Sequence, residues 1–165
     1  MAFRIRSATR EDESIIWKAT METVWKTIPE NEVATLDRRA SEEYFREQVE
    51  AYVKGVRGER FVAEDDGGRF LGYIILGDLR MYYSPQPIGF VFDIWVKPEH
   101  RGKGVATFLL DRALAWCRLR GLPKLKLEVG AGNAEARELY EHTGFVVERL
   151  SMGVAVPSGE GGNRD

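Results

Sequence analysis

Gly89-Phe-Val-Phe-Asp93-Ile-Trp-Val-Lys-Pro98-Glu-His-Arg101-Gly-Lys-Gly104-Val-Ala106 is the stretch that decides the fold. Its first half, Phe90 to Val96, is aromatic and β-branched apart from Asp93, the pattern of a strand buried on both faces. Pro98 lacks the N–H that a ladder needs and stops the strand. Gly102 and Gly104 then leave the backbone uncovered where a helix begins. That helix is predicted from about Val105 to Leu119, because Val105, Leu109, Ala113, Trp116 and Cys117 fall on one face. Strand, glycine turn and helix N-terminus make an anion cradle, in which amide donors and the positive end of the helix dipole converge.

Spacing narrows the anion. A P-loop needs Gly, four residues, then Gly-Lys-Ser/Thr; five residues before Gly102 stands Lys97, and Lys103 is followed by Gly104, so that motif is rejected. A dinucleotide fingerprint needs a third glycine where Thr107 stands, and no second βαβ half follows. Arg101-Gly-Lys-Gly-Val-Ala106 instead resembles the Arg/Gln-x-x-Gly-x-Gly/Ala signature of GNAT-type N-acetyltransferases, with the hydrophobic strand and Val-x-Pro that precede it in that family. A second stretch, Asn133-Ala-Glu-Ala-Arg-Glu-Leu-Tyr140-Glu-His-Thr-Gly144-Phe145, resembles the family's later Asn-x-x-Ala-x-x-Leu-Tyr-x-x-x-Gly-Phe motif. The resemblance covers roughly residues 61–156. It implies an α/β fold, the GNAT acyl-CoA N-acyltransferase fold, with a central splayed mixed β-sheet flanked by about four helices.

Length and composition agree with one domain. A chain of 165 residues can bury one substantial core, and residues 1–156 are expected to form it, with a disordered polar tail over 157–165. The apolar runs are strand-sized, far short of the roughly 18 residues of a membrane span. The N-terminal Glu11, Asp12 and Glu13 do not read as a secretory signal, so a cytoplasmic setting is expected. A single cysteine, Cys117, excludes an internal disulfide and reads as a buried structural thiol. The net charge of −2 argues against general nucleic-acid binding. Its distribution is uneven: residues 11–50 carry eleven acidic and five basic side chains, residues 97–126 eight basic and two acidic. The basic segment surrounds the cradle and suits a polyanionic cofactor, and the acidic segment favours a cationic acceptor. Neither nucleic acid nor membrane is an expected partner, and a homodimer is left open.

Along the chain, Phe3-Arg-Ile-Arg reads as a first strand and Thr9 as the N-cap of a helix opened by Glu11 to Glu13. Trp17, Met21, Val24 and Trp25 keep helical spacing and are expected in the core, and Ile28-Pro29 ends that helix. A second helix is predicted from about Arg39 to Lys54. Arg60 to Glu64 and Phe70 to Gly77 read as a hairpin about Asp65-Asp-Gly-Gly68. Tyr82 and Tyr83 lie in a proline-marked loop, where they could wall an acceptor pocket or cover the sheet edge. Lys124 to Val129 alternates as a strand, and Phe145 to Val156 is expected to return as a final strand or pair of strands.

The family resemblance implies acetyl-CoA as co-substrate, with no metal, and direct transfer of the acetyl group to an amine. The amides of Arg101, Gly102, Lys103, Gly104, Val105 and Ala106 would then bind pyrophosphate. The backbone around Ile94, Trp95 and Val96 would pair with the peptide-like pantetheine arm. Asn133 would bond that arm or cap its helix. Thr27 to Asp37 would border the acceptor. Tyr140 would be the general acid for the leaving thiolate, since a phenol near 10 lies only about 1.5 units above a thiol near 8.5. Two carboxylates compete as base: Glu128, in a Leu-Glu-Val-x-x-x-Asn run similar to ribosomal-protein alanine acetyltransferases, and Asp93. Asp93 could be solvated by a splay in the sheet or held in a structural ion pair; Glu128 could be a solvated strand residue. The competing class is a non-catalytic acyl-CoA sensor or scaffold, which would need the cradle without a placed acid. His100 and His142 lie apart from any cluster at metal-ligand spacing.

Overall fold

Asp65-Asp-Gly-Gly68 reverses the chain because the Asp65 carboxylate gathers the turn's own amides, accepting from Gly67 and Arg69 N–H at 3.0 Å each. In a computed structural model, which describes residues 2–156, this turn joins β2 (Glu59–Asp65) to β3 (Phe70–Arg80). The strands β1 (Phe3–Ser7), β2, β3 and β4 (Pro87–Val96) pair antiparallel in sequence order, and β5 (Leu125–Leu127) adds parallel to β4. A parallel neighbour needs a crossover, and α4 (Val105–Leu119) supplies it.

The sheet carries a core on each face. On one side α4 buries Val105, Leu109, Ala113, Trp116 and Cys117, the predicted stripe, together with Leu110, against Leu71, Ile74, Leu76, Val91 and Val96. On the other, α1 (Glu13–Thr27) and α3 (Arg38–Val53) pack on Val62, Tyr73 and Ile75. The short α2 (Glu30–Val33) lies between them in sequence, and α5 (Ala134–His142) follows β5. No described helix is long and apolar enough to cross a membrane.

Several boundaries differ from the sequence reading. Thr9 caps a 3₁₀ turn, Arg10–Asp12, and α1 starts only at Glu13. The face α1 buries is Ile16, Ala19 and Thr20, while Trp17 and Trp25 stay half-exposed beneath the guanidiniums of Arg46 and Arg38. β3 runs three residues beyond Gly77. β4 starts at Pro87, where a missing N–H is tolerated at a strand's first residue. Its residues are not buried on both faces throughout, since Phe90 and residues 92–95 are half-exposed. β5 is three residues, not six, because β4 offers it only Gly89 to Val91 as partners. The expected last strand, Phe145 to Val156, is irregular chain. A three-residue β5 gives it little ladder to join, and side chains hold it instead: Glu148 pairs with Lys124 and, at 2.5 Å, with Lys126. The tail at 157–165 lies outside the described residues.

The β1 edge is fixed by charge. Arg6 donates to Asp12 at 2.6 and 2.9 Å and to Glu64 at 2.6 Å, and Arg4 adds a bond to Glu64 at 2.8 Å. Both carboxylates are buried, and the hydrogen bonds from Arg6 to Asp12 and from Arg4 and Arg6 to Glu64 hold them below the ordinary carboxylate range. Their contribution to stability is therefore complete above the ordinary carboxylate range and lost as pH falls through their folded values. Replacing Arg6 by methionine is expected to cost about 2 kcal/mol at neutral pH, less than for a fully buried pair because Arg6 keeps a third of its surface in water. The mutant should also lose much of the wild-type decline in stability between about pH 5 and pH 3. Urea unfolding at the two pH values checks both.

Candidate active site

β4 loses its second neighbour halfway along. Ile75 faces Asp93 and Leu76 faces Val91, so Phe92 is an extra residue, a β-bulge. Gly77 makes room for it, since a Cβ there would stand 2.6 Å from the Phe92 ring. β5 stops opposite Val91, so from Phe92 to Val96 one edge of β4 is open. Lys97 N–H donates to Leu71 C=O at 2.9 Å, which sets Trp95 and Lys97 in phase with β3. The N–H and C=O of Ile94 and Val96 then point to the open edge. Consistently, the Val96 carbonyl is free to accept Arg101 Nε at 3.2 Å. Trp95 turns its ring to the α1 side, 6.2 Å from that of Tyr73.

The open edge leads to the cradle. Gly102 and Gly104 take φ of 67° and 84°, a left-handed backbone that glycine adopts without strain. Gly104 is the N-cap of α4 and no side chain caps that helix. From Gly102 to Thr107 the amides find no loop acceptor among the described residues. A Cβ on Gly102 would meet nothing within 4 Å, and one on Gly104 only the Phe3 ring at 3.9 Å. Free amides, a helix N-terminus and open space that a side chain would fill suit a phosphate group. Lys103 Nζ is held by the Glu99 carbonyl at 2.8 Å.

Beside the open edge stands a cluster that no motif announced. Asp93 is neither solvated nor ion-paired: its Oδ2 accepts Tyr73 Oη–H at 2.6 Å and Thr20 Oγ1–H at 2.8 Å, and the two hydroxyl oxygens are 2.9 Å apart. Burial pushes the Asp93 carboxyl above its ordinary value, against the opposing pull of these donors. Burial and the neighbouring Asp93 push the Tyr73 phenol well above its own. Tyr140, on α5, packs against the α4 side of the core with its ring 5.9 Å from Phe145. Burial raises its phenol too, and the charge of Asp93 adds to the rise. Thr20 and Tyr73 carried only a faint sequence signal: each is a hydroxyl inside an otherwise apolar buried run.

The remaining predicted residues lie apart from this cluster. Glu128 is exposed just beyond β5, with no ion pair or side-chain hydrogen bond among the described residues. Asn133 caps α5, its Oδ1 accepting Ala136 N–H at 3.1 Å. The loop between them approaches the end of α1, where a Cβ on Gly130 would lie 3.6 Å from the Thr27 carbonyl. From the segment 27–37, Ile28, Leu36 and Asp37 join Trp25, Tyr44 and Phe45 around a groove of about 520 Å³. Tyr82 and Tyr83 are exposed, with Arg149 over both rings and Lys126 beside Tyr83. Cys117 is buried, and burial pushes its thiol up. Among the described residues no three His, Cys, Asp or Glu side chains group closely enough to hold a metal ion.

A mixed sheet is thus opened along one strand, with a glycine-lined helix start following that opening. The chain belongs to the GNAT acetyltransferase family, whose model matches residues 17–145. A spermidine N(1)-acetyltransferase from Vibrio cholerae is 36% identical over 110 residues, 64% of this chain and 61% of that protein. A mycothiol acetyltransferase from Beutenbergia cavernae is 32% identical over 97 residues, 59% of this chain and 31% of its own length. The chain thus spans less than two thirds of each of these relatives. The fold matches that of a ribosomal-protein-alanine N-acetyltransferase from Brucella melitensis with a TM-score of 0.63, covering 94% of this chain and 99% of that one at 24% identity.

Replacing Gly104 by valine is expected to raise the dissociation constant for CoA by about tenfold or more, because the side chain fills the cradle. The left-handed backbone should cost about 1–2 kcal/mol of stability and leave the fold intact. Calorimetric titration with CoA checks this, and unchanged affinity in the folded mutant refutes the placement.

Proposed function

We propose that this protein transfers the acetyl group of acetyl-CoA directly to an amine in a ternary complex. The observation that carries this reading is the open β4 edge running to the glycine-lined start of α4, with the Asp93 carboxyl held beside it by two hydroxyls. A mere acyl-CoA sensor would need the cradle but no carboxyl held ready beside it. In this reading the amides from Gly102 to Ala106 hold the pyrophosphate and the Ile94 and Val96 backbone holds the pantetheine arm. The thioester supplies an activated acetyl group to the slot.

Asp93 is the preferred base over Glu128, because it lies half-buried beside the open edge, is held by two hydroxyls and is raised in pKa, whereas Glu128 is exposed and unpartnered among the described residues. The amine nitrogen bonds to the acetyl carbon, its surplus proton passes to Asp93, and the carbon–sulfur bond breaks. Tyr140 gives its proton to the departing sulfur. The two steps assist each other. While Asp93 is ionised its charge keeps Tyr140 protonated, and once Asp93 has taken the amine proton that charge is gone and Tyr140 becomes a stronger acid. The Tyr140→Phe enzyme should therefore turn over roughly 10²–10⁴ times more slowly while binding CoA as before. Single-turnover rates with acetyl-CoA and an amine check this, and near-native rates would remove Tyr140 from the chemistry.

For the acceptor, we infer a cation. Much of the acidic first third is spent internally: Glu42, Glu43 and Glu50 pair with Arg38, Arg39 and Lys54 along α3, and Asp12 with Arg6. Glu22, Glu30 and Glu32 keep no ion pair among the described residues, and the last two lie on α2, beside the segment that joins the groove. The apolar groove suits an alkyl chain carried by the amine. Added salt should therefore raise the apparent Michaelis constant for a polyamine such as spermidine. A preference for carboxylate-rich acceptors, or salt independence, would overturn the cationic assignment.

A further inference from the structure

We infer that Thr20 and Tyr73 are positioning residues that fix one oxygen of Asp93 and leave the other to the incoming amine. The inference rests on the reading of Asp93 as the base. Both hydroxyls donate to the same oxygen, Oδ2, at 2.8 and 2.6 Å, and among the described residues no side chain donates to Oδ1. The donors come from two different elements, α1 and β3, so Oδ2 is clamped between the helix and the sheet. The bulge at Phe92 is next to the clamped residue, and without the two donors nothing but the local backbone would set the carboxylate's orientation.

The proton count explains why two hydroxyls serve better than a cation. With Asp93 ionised, two hydrogens serve the three short contacts; both go to Oδ2, and the Thr20–Tyr73 contact of 2.9 Å carries none. Once Asp93 is neutral, one hydroxyl can turn its hydrogen into that spare contact without any heavy atom moving. An arginine in the same place would stabilise the carboxylate alone and suppress its basicity. The groups that face Asp93 are Tyr73 from β3, Thr20 from α1 and the amide of Ile94 from its own strand, and the charge of Asp93 is felt by Tyr140 on α5. None of them is a cation, so the hydroxyl pair is what pulls Asp93 toward its charged form against the opposing effect of burial. The fully buried Tyr73 stays protonated and is a permanent donor.

The test is the titration of Asp93 itself, followed by carbon-13 carboxyl resonances in aspartate-labelled protein and assigned with Asp93→Asn. Tyr73→Phe and Thr20→Val each keep the buried volume and remove one donor. Each should move the Asp93 midpoint upward by about one pH unit, because a hydrogen bond to an ionised acceptor is worth more than one to a neutral acceptor. Thr20→Ser should restore the wild-type midpoint. In kcat/KM profiles with acetyl-CoA and spermidine the acidic limb should move with it, while the CoA dissociation constant stays the same. Unchanged midpoints in both folded variants would overturn the inference. If the midpoints rise and the wild-type protein acetylates no amine, the clamp stands and the acetyltransferase reading falls.

Discussion

Everything distinctive in this molecule depends on β4 being unable to pair on both edges along its whole length. An antiparallel partner runs beside it from Pro87 to Val96, but the parallel partner ends opposite Val91. Main-chain groups on the far side of Ile94 and Val96 are thereby left without a strand partner, and among the described residues the Val96 carbonyl takes a side chain, Arg101, instead. Unpaired backbone in a sheet interior is costly unless a ligand or water takes it, so such a gap reads as a binding feature. The bulge at Phe92 lies where the gap opens and next to the one charged residue of the strand. A single irregularity therefore creates the slot and furnishes it with a carboxyl group.

The two faces of the sheet contribute different things to that slot. The α4 side is a conventional apolar core whose helix begins at the cradle, so hydrophobic packing of Val105, Leu109 and Leu110 is what aims the free amides. The α1 side carries the polar cluster, and Thr20 reaches Asp93 only because Ile16 and Ala19 seat its helix on the sheet. Tyr140 arrives from a third element, α5. The placing of Thr20 against Asp93 is thus set by packing, and burial is what raises the Asp93 carboxyl and the Tyr140 phenol.

Much of this was legible in the residues. The glycine turn, the α4 stripe and the later Asn133-to-Phe145 motif are local patterns, and local patterns survive in a sequence. The extent of β5 was not, because Lys124 to Val129 alternates perfectly well as a strand and only the divergence of β4 denies it partners. Glu128, just past that short strand, is exposed for the same reason. Thr20 and Tyr73 are fifty-three positions apart, and their meeting is a property of the tertiary arrangement alone. The last stretch, Phe145 to Val156, has strand-like composition, but composition cannot supply a neighbouring edge.

That last stretch is fastened in an unusual manner. Glu148 is drawn down to about 2 by Lys124 and Lys126, and Arg149 lies over the rings of Tyr82 and Tyr83. Val146, Leu150, Met152 and Val154 beside them remain in water. Beyond Phe145, which packs on the core, the segment is attached by surface charge and by rings, without a backbone ladder among the described residues. Electrolyte weakens such links far more than it weakens a buried apolar contact. Ionic strength thus acts as a selective solvent variable here, able to loosen the strip behind β5 while the sheet and its two cores hold their shape.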